Sequence, residues 1–261
     1  MKIEVVIILL TSVVLFVVII VIAFIVIQQR RFIRLEKDKI FLEKVQEIRL
    51  AEAMIKSQEL ERKTIGENLH EDVAPILYLS LMDLNAFMEN KEFSLGNKLH
   101  FTINNISTAI NKIRDISHLI HPASVETFGF LRGLEDFSTI INSSQGCKFV
   151  IENKAEKIPI DPFNQLMLFR VVQEIVYNSI IHGKSKKIDL VLKEDFNQLS
   201  ILIYHNGSKF TNEDYLKSLQ SNGALGLKNI QLRVGLLQGQ IIFDSVENTD
   251  LQKVSLNIPL I

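Results

Sequence analysis

An uninterrupted apolar segment near the N-terminus is the feature that most limits how this chain can fold. Residues Val5 to Ile27 contain no charged side chain, and only Thr11 and Ser12 among them are polar. A helix rises about 1.5 Å per residue, so this segment is long enough to cross a hydrocarbon core about 30 Å thick. A cleaved signal peptide is the alternative, but it has a shorter apolar core and a small-residue cleavage site after it. The sequence therefore predicts one transmembrane helix over residues 5–27.

The charged residues beside this segment predict its orientation. Arg30, Arg31 and Arg34 follow it, whereas Lys2 is the one basic residue before it. Because basic residues are retained on the cytoplasmic side, we expect the bulk of the chain in the cytoplasm and only Met1 to Glu4 outside. We therefore expect a stimulus to arrive through the bilayer, through another membrane protein or through the helical stalk that follows.

A helical pattern continues beyond the membrane segment. From Gln28 to about Asn90 the first proline is Pro75, and the one glycine is Gly66. Four apolar residues trace a partial seven-residue seam between mixed charges: Phe41, Val45, Ile48 and Ile55. The pattern predicts a stalk over residues 28–60 that pairs with the same stalk of a second chain, and a solvated single helix is the alternative.

The same helical pattern carries a histidine, His70, that is followed by two carboxylates, Glu71 and Asp72. Apolar residues recur beside it at three- and four-residue steps: Leu69, Val73, Ile76, Leu77, Leu84, Phe87 and Met88. His70 lies about 100° around the helix from Leu69, at the edge of this predicted buried stripe. A neutral imidazole with a carboxylate able to accept its second proton can act as a nucleophile. A solvated surface histidine is the alternative.

A second amphipathic helix follows a turn near Gly96 and ends before Pro122. Its apolar residues again step by three and four: Leu99, Ile103, Ile106, Ile110, Ile113, Ile116 and Ile120. Two helices with one apolar face each cannot bury those faces alone, whereas two copies can do so as a four-helix bundle. Residues 61–122 are therefore predicted to form a homodimer.

Beyond Pro122 the pattern changes to short strands that alternate with helices. Predicted strands cover 149–151, 188–192, 199–204, 241–243 and 254–258, and predicted helices cover 128–141, 164–182 and 225–237. This mixture over residues 123–261 predicts one α+β domain in which helices cover one face of a sheet. The predicted fold class is thus a membrane-anchored chain with an α part followed by an α+β part.

One predicted helix of this domain carries a line of polar side chains along an otherwise apolar surface. Arg170, Glu174, Asn178 and His182 follow each other at four-residue steps, so they share one face. The oxygen atoms of Glu174 and Asn178 suit Mg²⁺, which keeps most of its waters and also takes phosphate oxygens as ligands. An amphipathic helix with a hydrated face is the alternative.

Two glycine-containing segments predict a phosphate site near this helix. His205, Asn206 and Gly207 end a predicted strand, and Gly223-Ala224-Leu225-Gly226-Leu227 opens a predicted helix. A glycine-rich turn into a helix offers free backbone N–H groups and the positive end of the helix dipole. Together with the polar helix, these segments predict a three-part nucleotide site.

The ordered set of motifs resembles bacterial two-component sensor histidine kinases, in the subgroup with a Leu-His-Asp/Glu motif and a Bergerat-type ATPase domain. The matching residues are Glu61, Arg62, Leu69, His70, Glu71, Arg170, Gln173, Glu174, Asn178, His182, Asn206, Gly207, Gly226, Leu227, Asn229, Ile230 and Arg233. The resemblance implies that His70 is autophosphorylated from ATP and passes the phosphoryl group to an aspartate of a response regulator. Such a partner usually carries a helix-turn-helix output domain. The implied location is the bacterial inner membrane.

The resemblance also implies roles for the site residues. Glu71 would accept the second imidazole proton, with Glu67 as the alternative, and Glu174 and Asn178 would hold Mg²⁺ against the triphosphate. The nucleotide would contact these two residues and seven others: His182, His205, Asn206, Gly207, Gly223, Gly226 and Leu227.

Three positions depart from the pattern of the family. His205 stands where the family carries the aspartate that bonds the adenine amino group, Lys209 replaces a glycine, and Ala224 replaces another. These departures bear on adenine specificity and affinity, and they leave open whether ATP binds, since a neutral histidine can still accept a hydrogen bond through one ring nitrogen.

Two other functions compete with kinase activity. The departures favour a degenerate kinase-like scaffold that dimerises with or regulates another kinase, whereas the intact His70, Glu71 and Asn178 oppose it. A serine kinase of the anti-sigma type would need no two-helix stem. The formal net charge of -1 argues against a nucleic-acid-binding surface, and a single cysteine, Cys147, excludes a cysteine-based metal site.

Overall fold

The computed structural model describes residues 3–89, 96–144, 146–155, 158–195, 197–221, 224–247 and 249–260, and leaves out the side chains of 3–14, 17–19, 23, 87–89, 96–99, 144 and 195. The chain divides into two compact units, residues 1–54 and 55–261. A single long helix, α1, covers Ile3–Asn68. In the first unit, its seam residues Phe41 and Ile48 are exposed, so pairing with a second chain stays a prediction.

The predicted membrane span falls largely on residues whose side chains lie outside this description. Among the described residues, no helix is both long and apolar enough to cross a bilayer. The span over residues 5–27 therefore stays a prediction.

A π-helical turn interrupts the helix at the predicted phosphoacceptor. It covers Leu69–Val73, and the N–H of Ala74 bonds to the carbonyl oxygen of Leu69, five residues back. Pro75 explains the wider turn, because it has no N–H to donate and its ring would clash with the carbonyl four residues earlier in a regular α-helix. The sequence predicted an unbroken helix here. The turn leaves His70 exposed.

Helices α2 (Ala74–Glu89) and α3 (Gly96–Ile120) form the predicted hairpin. Arg114 Nη2 donates a hydrogen bond to the Tyr78 hydroxyl across it, at 3.0 Å. Most described residues of the apolar stripe that was predicted to be buried are half-buried within one chain, but Val73, Ile76 and Ile116 are exposed, and Ile76 is 64% exposed. A hairpin with such a face is what a four-helix bundle of two chains requires, although the dimer itself stays a prediction.

Gly66 allows α1 and α3 to approach each other closely. Ser117 Oγ on α3 donates to the carbonyl oxygen of Gly66 at 2.8 Å, in a buried position. A Cβ atom on residue 66 would lie 2.6 Å from the Cβ of His121, closer than real Cβ atoms come. The glycine thus marks the point where the two helices of the stem are in contact.

Replacing Gly66 by alanine is expected to lower the free energy of unfolding by roughly 1–3 kcal/mol, because the added methyl group overpacks this contact. The control is Gly235→Ala, since nothing lies within 4 Å of a Cβ at residue 235. Alanine favours a helix over glycine by about 1 kcal/mol, so the control should be stabilised. Urea denaturation followed by circular dichroism measures both, and a Gly66 variant as stable as the control would contradict the close contact.

The second unit contains a five-stranded sheet in the order β1-β2-β3-β5-β4. The strands are β1 (Lys148–Asn153), β2 (Lys187–Asp195), β3 (Gln198–His205), β4 (Gln240–Ser245) and β5 (Gln252–Pro259). β1 and β2 are parallel, and the other neighbours are antiparallel. Alternate residues of β3 and β5 are buried, as in a sheet with one face on the core.

Five helices complete the unit: α4 (Ala123–Phe128), α5 (Phe130–Ser144), α6 (Pro162–Ile181), α7 (Asn212–Gln220) and α8 (Leu225–Leu236). Helix α6 is the most buried, and every residue from 166 to 173 is buried. Asp161 starts it by accepting a hydrogen bond from the backbone N–H of Asn164. The predicted α+β domain is confirmed, although α4 and α7 were not predicted.

Candidate active site

A cavity of about 350 Å³ lies in the second unit and is lined by residues of α6, α8 and the sheet. Its polar lining residues are Glu174, Asn178, Ser179, His182, His205, Ser208 and Lys209. Its apolar lining residues include Ile175, Phe210, Leu227, Ile230, Phe243 and Val254. An apolar compartment with a few polar groups fits a nucleotide, whose base has apolar faces and whose phosphates are charged.

Most residues that were predicted to contact a nucleotide meet at this cavity: Glu174, Asn178, His182, His205, Gly226 and Leu227. Gly223 lies outside the described residues. Asn206 and Gly207 follow β3 but do not line the cavity. Asn206 Oδ1 accepts the backbone N–H groups of Lys186 and Lys187, at 2.9 and 3.0 Å, so it fixes the end of β3 against the start of β2.

Glu174 and Asn178 lie one helical turn apart on α6 and are both half-buried. Asn178 Nδ2 donates to Glu174 Oε1 at 3.4 Å, which leaves the amide oxygen and Glu174 Oε2 outside this contact. Two such oxygens, with waters and phosphate oxygens, make a donor set that fits Mg²⁺. No group of three or more His, Cys, Asp or Glu side chains able to hold a metal occurs in the described part of the chain. Because Mg²⁺ requires octahedral coordination, the pair could hold it only together with waters or phosphate oxygens.

Gly226 brings the backbone of α8 against Glu174. A Cβ atom on residue 226 would lie 2.1 Å from Glu174 Oε1, so a larger residue would displace that carboxylate. Helix α8 begins at Leu225, and Ala224 before it has no side chain that could accept a hydrogen bond. The first N–H groups of α8 are therefore suited to phosphate oxygens, which also favour the positive end of the helix dipole.

His205 ends β3 and is only 6% exposed. The backbone N–H of Gly207 donates to His205 Nδ1 at 3.2 Å, and Ser185 Oγ lies 3.2 Å from the same nitrogen. Burial lowers the pKa of His205 below its ordinary value, so the imidazole is neutral at pH 7. The sequence suggested that a ring nitrogen would accept a hydrogen bond from adenine, but Gly207 already uses the accepting nitrogen.

His70 is exposed on the π-helical turn, and so are Glu71 and Asp72. Its ring lies 6.4 Å from the ring of His118 on α3, measured between centroids. Among the described residues, no hydrogen bond or ion pair joins His70 to Glu71 or to Glu67. The assignment of either carboxylate as proton acceptor therefore stays a prediction.

A buried ionic cluster joins α1 to the two helices that line the cavity. Glu59 Oε2 lies 2.7 Å from Arg170 Nη2 on α6, and Glu59 Oε1 lies 3.2 Å from Arg233 Nη2 on α8. The side chains of the two arginines are 2% and 5% exposed, and that of Glu59 is 10% exposed. Arg170 also donates to the carbonyl oxygens of Leu119 and Ile120 at the end of α3.

Burial lowers the pKa of both arginines, and the Glu59 carboxylate opposes this effect in each case. Arginine nevertheless stays protonated in proteins, so the cluster holds two cations against one anion. Arg170 shares the predicted polar stripe of α6 with Glu174 and Asn178, but its guanidinium contacts α1 and α3 rather than the cavity. Glu59 was not singled out in the sequence, where it is one of many charged residues in the stalk region.

No protein-family model matches the chain. The signal transduction histidine-protein kinase/phosphatase DegS of Brevibacillus brevis is 21% identical over 213 residues, which are 79% of this chain and 53% of that protein. The similarity is to a sensor histidine kinase. The chain spans about half the length of this curated relative.

Histidine kinases also occur among the solved structures to which the chain is similar. The histidine kinase domain of the blue-light activated kinase EL346 from Erythrobacter litoralis has a TM-score of 0.45 at 15% identity, with 72% of this chain and 94% of that chain covered. The histidine kinase AdeS of Acinetobacter baumannii has a TM-score of 0.38 at 15% identity, with coverage of 70% and 95%.

Proposed function

We propose that the chain is a sensor histidine kinase of a two-component system, which autophosphorylates His70 from ATP and then phosphorylates an aspartate of a response regulator. The observation that carries this proposal is the cavity. It brings Glu174 and Asn178 from α6, His205 from β3 and Gly226 from α8 together, in a chain that also exposes His70 on a helical stem.

The chemistry depends on positioning and charge neutralisation, as phosphoryl transfer generally does. Glu174 and Asn178 would hold Mg²⁺, which supplies charge neutralisation to the triphosphate when bound. One ring nitrogen of His70 attacks the γ-phosphorus, so an N–P bond forms as the bond to the oxygen of ADP breaks. The proton on the other ring nitrogen passes to Glu71, with Glu67 as the alternative.

The assembly that we propose is a membrane-anchored homodimer. Its support is the apolar face of the hairpin, where exposed side chains recur: Ile76, Leu79, Met82 and Phe101. We further propose that residues 5–27 span the bacterial inner membrane, that the catalytic unit is cytoplasmic, and that a membrane partner supplies the signal. The response regulator is proposed to carry a helix-turn-helix output domain, and the chain itself to bind no nucleic acid.

A kinase-like scaffold is the second candidate, and one observation favours it. His205 is buried where related kinases carry an aspartate, and it offers no free accepting nitrogen to an adenine amino group. Such a protein would keep the hairpin and the nucleotide fold but would regulate another kinase.

The test is incubation of the purified full-length chain with γ-labelled ATP and Mg²⁺. We expect a label that is lost in acid and retained in base, as for phosphohistidine, and that disappears in His70→Gln. His100→Gln is the matched control, because His100 is an exposed histidine on α3 outside the proposed site. An acid-stable label would support a serine kinase, and nucleotide binding without any label would support the scaffold.

A further inference from the structure

The polar groups of the cavity divide into an exposed set and a buried set. His182, Ser208 and Lys209 are exposed, and Glu174 and Asn178 are half-buried, so the groups suited to a charged triphosphate lie towards solvent. The deep part is lined by buried apolar residues, among them Ile230, Phe243 and Val254. A purine nucleotide would therefore place its base in the deep part and its phosphates near the rim.

Two polar residues line the deep part, Ser179 and His205. Ser179 Oγ donates its proton to the carbonyl oxygen of Ile175 within α6, at 2.8 Å. His205 is thus the buried polar side chain with a proton left to offer to a base.

The hydrogen bonds of His205 fix which ring nitrogen carries that proton. A backbone N–H can only donate, so the bond from Gly207 to Nδ1 requires an Nδ1 without a proton. Neutral imidazole then carries its proton on Nε2, as assigned from this network. No hydrogen bond to Nε2 is present among the described residues, and His205 lines the cavity. The site therefore presents a donor where an aspartate would present an acceptor.

We infer that this pocket prefers a purine with a 6-oxo group, as in hypoxanthine and guanine, over adenine, whose 6-amino group is a donor. The inference rests on the proposed nucleotide-binding function: ATP would remain a phosphoryl donor to His70, but it would bind more weakly than a 6-oxo purine triphosphate. The substituent at position 6 projects from the edge of a purine opposite the ribose, so it enters the deep part first. The 6-amino group of adenine and His205 Nε2–H are both donors, so they cannot form a hydrogen bond with each other. The amino group would also keep the adenine N1 acceptor, which is set further back, from reaching Nε2–H.

The test is isothermal titration calorimetry of the full-length chain with ITP, GTP and ATP, each with Mg²⁺. ITP and ATP differ only in the substituent at position 6 and in the proton on N1 that accompanies the change. Their affinities therefore test the preference for a 6-oxo group directly. A buried donor left unpaired costs enough to weaken binding by about tenfold or more, so we expect ITP to bind at least about tenfold more tightly than ATP. His205→Asp restores an acceptor and is expected to reverse the order.

His100→Asp is the matched control, since it makes the same substitution at an exposed position on α3 and should leave the ratio unchanged. ATP binding as tightly as ITP, or more tightly, would overturn the inference even if His205→Asp failed to fold. An ITP preference that persists in folded His205→Asp would overturn the role of the histidine. Binding of no purine triphosphate would refute the nucleotide site and, with it, the proposed function.

Discussion

Replacing Asn178 by alanine is expected to reduce the acid-labile label on His70 by at least about 100-fold while the chain stays folded. In the proposed mechanism Asn178 would supply one of two oxygen ligands that α6 offers to Mg²⁺, and a phosphoryl transfer without its metal loses the charge neutralisation that lowers the barrier. The side chain is half-buried at the cavity and makes one long hydrogen bond, to Glu174 at 3.4 Å, so its loss should cost little stability.

The label on the Asn178 variant is compared with that on Asn105→Ala, which removes an exposed asparagine from α3. Circular dichroism should show the same melting temperature for both proteins. Normal labelling of Asn178→Ala with Mg²⁺ at saturation would mean that α6 does not hold the metal, and the proposed mechanism would have to be abandoned.

Replacing Glu59 by alanine is expected to lower the free energy of unfolding by roughly 3–5 kcal/mol, the usual cost of removing one partner from a buried ion pair. Two guanidinium groups, on Arg170 and Arg233, would lose the carboxylate that they share. Arg233 Nε is already buried without a hydrogen-bond partner in the described structure, and Nη2 would keep the neutral Gln58 Oε1 as an acceptor, at 3.2 Å.

The control for this change is Glu43→Ala. Glu43 pairs with Lys39 at 3.7 Å on the exposed surface of α1, where an ion pair contributes about 0–1 kcal/mol. Urea denaturation followed by circular dichroism compares the two variants. A Glu59 variant that unfolds at the same urea concentration as the Glu43 variant would show that the cluster is not buried in solution.

The strands and most helices could be predicted because the spacing of apolar residues differs between helices and strands. Each predicted strand lies within one of the five observed strands, and the hairpin helices were found from apolar residues at three- and four-residue steps. Helix α7 was not predicted because it is short and mostly polar. Its first turn is stabilised by a capping box, in which Thr211 and Asp214 each accept a hydrogen bond from the other's backbone N–H. The π-helical turn could not be predicted, because a proline within a helical pattern can also kink or end the helix.

The sequence indicates which residues line the cavity better than it indicates which partners those residues bond to. Spacing along α6 grouped Glu174, Asn178 and His182, which all line the cavity, but it also grouped Arg170 with them. The partner of Arg170 is Glu59, which lies 111 residues away in sequence, and no local pattern can indicate such a pairing. The donor character of His205 likewise depends on a backbone N–H two residues later, which becomes visible only in three dimensions.

The Glu59 cluster links the position of α1 to the affinity of the proposed site for nucleotide. Within the second unit, the Glu59 carboxylate on α1 pairs with arginines of both helices between which a nucleotide would sit. Any rotation or shift of α1 that changes the affinity for nucleotide must, by reciprocity, be opposed or assisted to the same degree when nucleotide binds. If a nucleotide binds in the cavity, its affinity and the position of residues 55–68 of α1 would therefore share one coupling free energy.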